Sequence, residues 1–112
     1  MNRIRVAIVA VLMAFAMAFT VSAPAQAAVG GRVVNSIYST ASFKIQAPTG
    51  TVNLYVGQAS STRFPDGIQY WYLAPGCTAQ KFVNGNLVFT YKAGGIWYRV
   101  YVGDNFALIY KC

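Results

Sequence analysis

The chain has 112 residues, 56% hydrophobic and 15% aromatic, with nine Lys and Arg against two acidic residues and a formal net charge of +7. It contains no histidine, and its only acids are Asp66 and Asp104, so a transition-metal site built on imidazole and a Ser or Cys triad with its usual base are both excluded. A chain this short holds one domain.

Residues 1–27 have the layout of a secretory signal. Arg3 and Arg5 precede an apolar run over residues 6–19, and Ala25 and Ala27 frame a cleavage site after Ala27. The run is shorter than the roughly 18 residues a spanning helix needs. A retained anchor is therefore the weaker reading, and the mature form is not expected to span a membrane. Cleavage leaves residues 28–112, a small domain whose apolar core is marginal without a covalent staple.

Strands are expected at residues 33–38 and 42–46, with a break at 47–50. Residues 51–56 place Val52, Leu54 and Val56 on one face and Asn53 and Tyr55 on the other. The polar stretch GQASSTRFPDG, residues 57–67, reads as an irregular surface loop of a length that is often functional. The aromatic strand IQYWYL follows at 68–73, with Trp71 read as at least half core, and stops at the turn 74–76. Residues 80–83 and 87–91 flank Asn84 and Gly85, which suit a tight hairpin because both accept positive φ.

The segment GGIWYRVYVGDN, residues 94–105, alternates like a half-buried strand. Its more uniformly apolar set, Ile96, Tyr98, Val100 and Val102, is expected to point inward, leaving Trp97, Arg99 and Tyr101 outward. Tyr55 joins that outward set if its own strand is oriented by the same logic. Gly103, Asp104 and Asn105 read as a second hairpin turn before a closing strand at 106–111. About seven short strands at this spacing define an all-β chain, a small barrel or sandwich of short antiparallel strands.

Cys77 and Cys112 are the only cysteines, and export places them where thiols oxidise, so a disulfide between them is expected. Closing that loop restricts the unfolded chain by about 3 to 4 kcal/mol in the entropic account. A free catalytic thiol or an intermolecular bridge gains nothing from a chain with no histidine to activate the sulfur. Asp66 and Asp104 each adjoin a glycine in an expected turn, where aspartate commonly bonds its own backbone, so a hydrolase using the pair is a minor reading. Two cysteines are too few for a closed zinc site, and no glycine-rich phosphate loop precedes a helix. No metal or cofactor is expected, and the inventory points to binding.

Residues 52–60, VNLYVGQAS, resemble the opening of a bacterial SH3-like domain, whose usual form is close to LNVRSGPST, with Asn53 and Gly57 in register. LAPG at 73–76, IWYRV at 96–100 and ALIYKC at 107–112 resemble that family's turn, its WYKV strand and its closing GWVYSKY. Tyr55, Val56 and Gln58 depart from the family's Arg, Ser and Pro, and Ala107 and Leu108 replace its closing Gly and Trp. The resemblance covers residues 52–112, leaves 28–51 as additional amino-terminal strands or an arm, and implies a small SH3-like barrel of a kind commonly attached to cell-wall enzymes.

Together these readings describe a secreted, non-catalytic module that recognises a cell-wall or other extracellular polymer or peptide through Tyr55, Trp97, Arg99 and Tyr101. The basic residues are scattered singly, so charge provides a general attraction to anionic surfaces without a polybasic arm. The alternative is a secreted inhibitor of another protein, or a membrane-active cationic toxin using loop 57–67. Nucleic acid is not expected as a partner: rings and arginine can stack bases, but export removes the usual one. Residues 28–51 either cover the aromatic face as a second core layer or leave it open.

Overall fold

The computed structural model describes residues 29–112; the expected signal segment, residues 1–27, lies outside the described residues. Among the described residues eight strands follow one another: β1 (Arg32–Asn35), β2 (Phe43–Ala47), β3 (Gly50–Leu54), β4 (Tyr70–Leu73), β5 (Thr78–Val83), β6 (Asn86–Tyr91), β7 (Ile96–Arg99) and β8 (Asn105–Lys111). They form two four-stranded sheets, one ordered β1-β8-β5-β6 and the other β3-β2-β4-β7. Every strand pair is antiparallel except β1 with β8, where Val33 pairs with Phe106 and Asn35 with Leu108. The fold is all-β, as alternation and turn chemistry required. Among the described residues no helix is long and apolar enough to cross a membrane.

The inner faces of the two sheets share one core. Val33, Ala79, Phe106, Leu108 and Tyr110 come from the first sheet, and Phe43, Ile45, Leu54, Trp71 and Leu73 from the second. Phe43 stacks on Tyr110 at 4.8 Å between ring centroids and meets Trp71 edge-on at 6.0 Å, so aromatic contacts cross from sheet to sheet. Trp71 is only 1% exposed and is wholly core. The period-2 pattern dictates the consequence: Tyr70 and Tyr72 face out.

Cys77 and Cys112 form a disulfide with an S–S distance of 2.07 Å. Thr78 pairs with Lys111, so the bridge adds one covalent rung beyond the β5–β8 ladder. At the β5–β6 turn, Asn84 (φ 51°) and Gly85 (φ 80°) take the two positive φ values that a tight hairpin demands.

Two expectations need correction. The turn at 103–105 is not a hairpin, because β7 pairs with β4 in one sheet while β8 pairs with β1 and β5 in the other. It carries the chain between sheets, with the Asp104 carboxylate accepting from Tyr101 N–H at 2.9 Å. Secondly, Ile96 and Val102 are not buried, at 41% and 64% exposure. β7 is a four-residue edge strand, so Ile96 sits at an open margin, and Val102 lies beyond the strand's end in the crossing turn.

Loop 57–67 is pinned down rather than free. A 3₁₀ turn at Ser60–Thr62 buries Ser60 completely, and its Oγ accepts from the buried Val33 N–H at 3.0 Å. Phe64 packs against the core.

Candidate binding face

The outer face of the second sheet is built by register. β4 supplies Tyr70 and Tyr72, and the antiparallel ladder sets Arg99 beside Tyr70 and Trp97 beside Tyr72 on β7. On the other side of β4, Gln46 of β2 pairs with Tyr70. Lys44, two residues before Gln46, brings its ammonium to 6.0 Å from the Tyr72 ring centroid. The result is an aromatic ledge with a cation at each side.

Arg99 organises one half. Its guanidinium lies 5.4 Å from the ring centroids of both Tyr70 and Tyr101, and one Nη reaches the Tyr70 hydroxyl at 3.5 Å. Cation–π attraction to two rings holds the planar fork in place while leaving N–H donors for a ligand. Tyr72 and Trp97 form the other half, their centroids 4.9 Å apart at a tilt of 45°. Trp97 is 39% exposed and Tyr101 63%.

The turn that carries Tyr101 is fixed from two directions. Besides the Asp104 carboxylate bond, Asp104 N–H donates to Tyr101 C=O at 3.0 Å, and Arg32 N–H donates to Asp104 C=O at 2.8 Å. Gly31 is tucked beneath, where a Cβ would come within 2.6 Å of the carbonyl oxygens of both Tyr101 and Asp104. A side chain at that position has to displace the turn.

Trp97, Arg99 and Tyr101 therefore come together as one outward group. Tyr55 does not join them. It is 57% exposed but follows β3, at the opposite edge of the sheet from β7, three strand spacings or roughly 14 Å away. Its N–H is occupied by the Gln58 side-chain carbonyl at 3.1 Å, in the turn that leaves β3. Sequence reasoning missed Tyr70, Tyr72 and Lys44. The signal for the two tyrosines was present in IQYWYL, because committing Trp71 to the core commits both neighbours to the outside; Lys44 required the β2–β4 pairing.

The chain supplied by residues 32–51 forms β1, β2 and the start of β3, so it extends both sheets and does not lie across the ledge. A boundary between residues 51 and 52 falls within β3. Neither aspartate belongs to the ledge. Asp104 is bonded into the crossing turn, and Asp66 is exposed beside Gly67, where its backbone C=O accepts from Val29 N–H at 3.0 Å. Among the described residues no three of His, Cys, Asp and Glu gather closely enough to hold a metal ion.

No protein-family model matches the chain, and comparison with curated proteins and with solved structures finds no significant match.

Proposed function

We propose that the protein is a secreted, non-catalytic binding module that takes a cell-wall or other extracellular polymer along the ledge formed by Tyr70, Tyr72, Trp97, Arg99 and Tyr101, with Lys44 at its margin. The observation that carries this reading is Arg99 held between two tyrosine rings beside the exposed Tyr72–Trp97 pair. Rings offer faces for sugar rings or peptide side chains, and the ordered guanidinium offers charge-assisted hydrogen bonds to carboxylate or phosphate. The cationic chain favours an anionic polymer over a neutral one. The resemblance of residues 52–112 to bacterial SH3-like domains supports a wall component as the ligand, and the lack of histidine and the placement of both aspartates support binding without turnover.

The test is retention of the purified protein on whole walls, wall polysaccharide and anionic lipid vesicles. Retention on wall material is expected to fall about ten-fold or more in Trp97→Ala or Tyr101→Ala, in keeping with loss of an aromatic anchor, and to weaken as salt is raised. Unchanged retention in both folded variants, or vesicle leakage without wall retention, counts against it.

A further inference from the structure

The aromatic ledge is one half of a larger outward face. β3 and β2 continue it, because their ladder sets Asn53 beside Lys44 and Thr51 beside Gln46. Lys44, Thr51 and Asn53 are exposed and Gln46 is half-buried. Two rows therefore cross the sheet from β3 to β7. One holds Asn53, Lys44, Tyr72 and Trp97, the other Thr51, Gln46, Tyr70 and Arg99. Each row is roughly 14 Å long at the usual strand spacing. Rings and Arg99 fill the β4 and β7 end, amide and hydroxyl side chains dominate the β3 and β2 end, and each row carries one cation.

We infer that the ligand is an acidic polysaccharide laid across the strands, with a sugar ring on Tyr72 and Trp97 and a carboxylate of the same chain on Arg99; this rests on the reading of the ledge as a polymer site. The Tyr72–Trp97 pair, with centroids 4.9 Å apart, suits an apolar face of ring size. Arg99 follows Trp97 by two residues on β7, which sets it roughly 6.7 Å further along the same face. Its guanidinium is steadied by Tyr70 and Tyr101, and the fork matches a carboxylate with two parallel hydrogen bonds. Asn53, Gln46 and Thr51 add donors and acceptors for sugar hydroxyls. A chain of ring sugars bearing carboxylates engages all three kinds of group at once.

Other anionic chains use the face only in part. A polyol phosphate supplies the anion but no ring, and leaves the Tyr72–Trp97 pair without a partner. An acidic peptide laid on this face finds no main-chain partner, because β2 and β4 are interior strands whose backbone groups pair within the sheet. A nucleic acid draws its affinity from cations that follow successive phosphates. Here the two cations stand on opposite sides of β4, one to a row.

The experiment measures equilibrium retention of the oxidised protein on immobilised polyglucuronate, on its carboxyl-reduced neutral form, on poly(glycerol phosphate) and on polyglutamate. Polyglucuronate is expected to hold the protein about ten-fold or more tightly than each of the others. Tyr72→Ala should weaken retention on polyglucuronate and on its reduced form by a similar factor, because the rings meet both. Arg99→Lys keeps the charge and loses the fork, so it should weaken retention on polyglucuronate alone, about ten-fold. Far-UV circular dichroism confirms that each variant is folded. Equal retention on the two polysaccharides, stronger retention on poly(glycerol phosphate) or polyglutamate, or an Arg99→Lys variant that loses both polysaccharides equally overturns the inference. Retention on whole walls with none on polyglucuronate overturns it as well and leaves the binding reading standing. Absence of retention on whole walls and on every polymer overturns both.

Discussion

Tyr110 shows how a single core residue governs the ledge from beneath. Its ring is buried against Phe43, while its hydroxyl accepts from Ala74 N–H at 2.8 Å and donates to Tyr72 C=O at 3.2 Å. The hydroxyl thus satisfies two backbone groups at the end of β4, the strand that presents Tyr72. Tyr110→Phe keeps the ring but leaves both groups without that partner, and should cost about 1–3 kcal/mol in denaturant unfolding. Asn35, the last residue of β1, plays a comparable part. Its Nδ2 donates to Ala41 C=O at 3.0 Å and to Leu54 C=O at 2.9 Å, and its buried Oδ1 has no partner among the described residues.

At the scale of elements, the weight falls on β5 and β8. β8 lies between β1 and β5, and β5 between β8 and the exposed β6, so the β5–β8 ladder joins the two margins of the first sheet. The Cys77–Cys112 bridge closes that ladder at the chain's end, spanning 35 residues of sequence. Reduction, or replacement of both cysteines by Ser, should lower stability by about 3–4 kcal/mol on the entropic account. Thermal unfolding with and without reductant checks this. The expected consequence is earlier amide exchange in β5 and β8 than in β2 and β4, because the staple lies on the first sheet alone.

At the scale of the molecule, two tyrosines, Tyr91 and Tyr110, couple stability to pH. Burial pushes the Tyr110 hydroxyl above the ordinary tyrosine range, against a lowering by the Ala74 N–H bond and with a smaller rise from Tyr72. Burial, then the neighbouring Tyr98 and Asp104, raises Tyr91. A raised folded-state pKa means that the folded chain keeps a proton the unfolded chain has released. These groups therefore contribute fully below the unfolded value of about 10, and their contribution is lost as pH rises through the folded value. The melting temperature should fall as pH is raised above about 10, with a shallower fall in Tyr110→Phe. An unchanged slope in that variant would remove Tyr110 from the account. Salt acts at the same scale: raising it should weaken retention on an anionic polymer, because the attraction comes from the net positive charge of the molecule.

Local chemistry was enough for much of this. Asn84-Gly85 specified its hairpin because only residues tolerant of positive φ fit there, IQYWYL specified a strand, and two cysteines in a chain without histidine specified a bridge. The alternation in IWYRV placed Trp97 and Arg99 outward correctly, because period 2 is a property of the extended backbone itself. The same alternation failed at Ile96 and Val102 for different reasons: Ile96 sits at the open margin of an edge strand, and Val102 lies past the strand's end in the turn that crosses between sheets. The turn at 103–105 resembled a hairpin because glycine and aspartate serve any tight reversal, and only strand pairing reveals that this one crosses between sheets. Tertiary register likewise decided the ledge. It brought Tyr70, Tyr72 and Lys44 to Trp97 and Arg99 and left Tyr55 three strands away, since neighbours across a sheet are chosen by which strands pair, and contacts distant in sequence, not local spacing, settle that pairing.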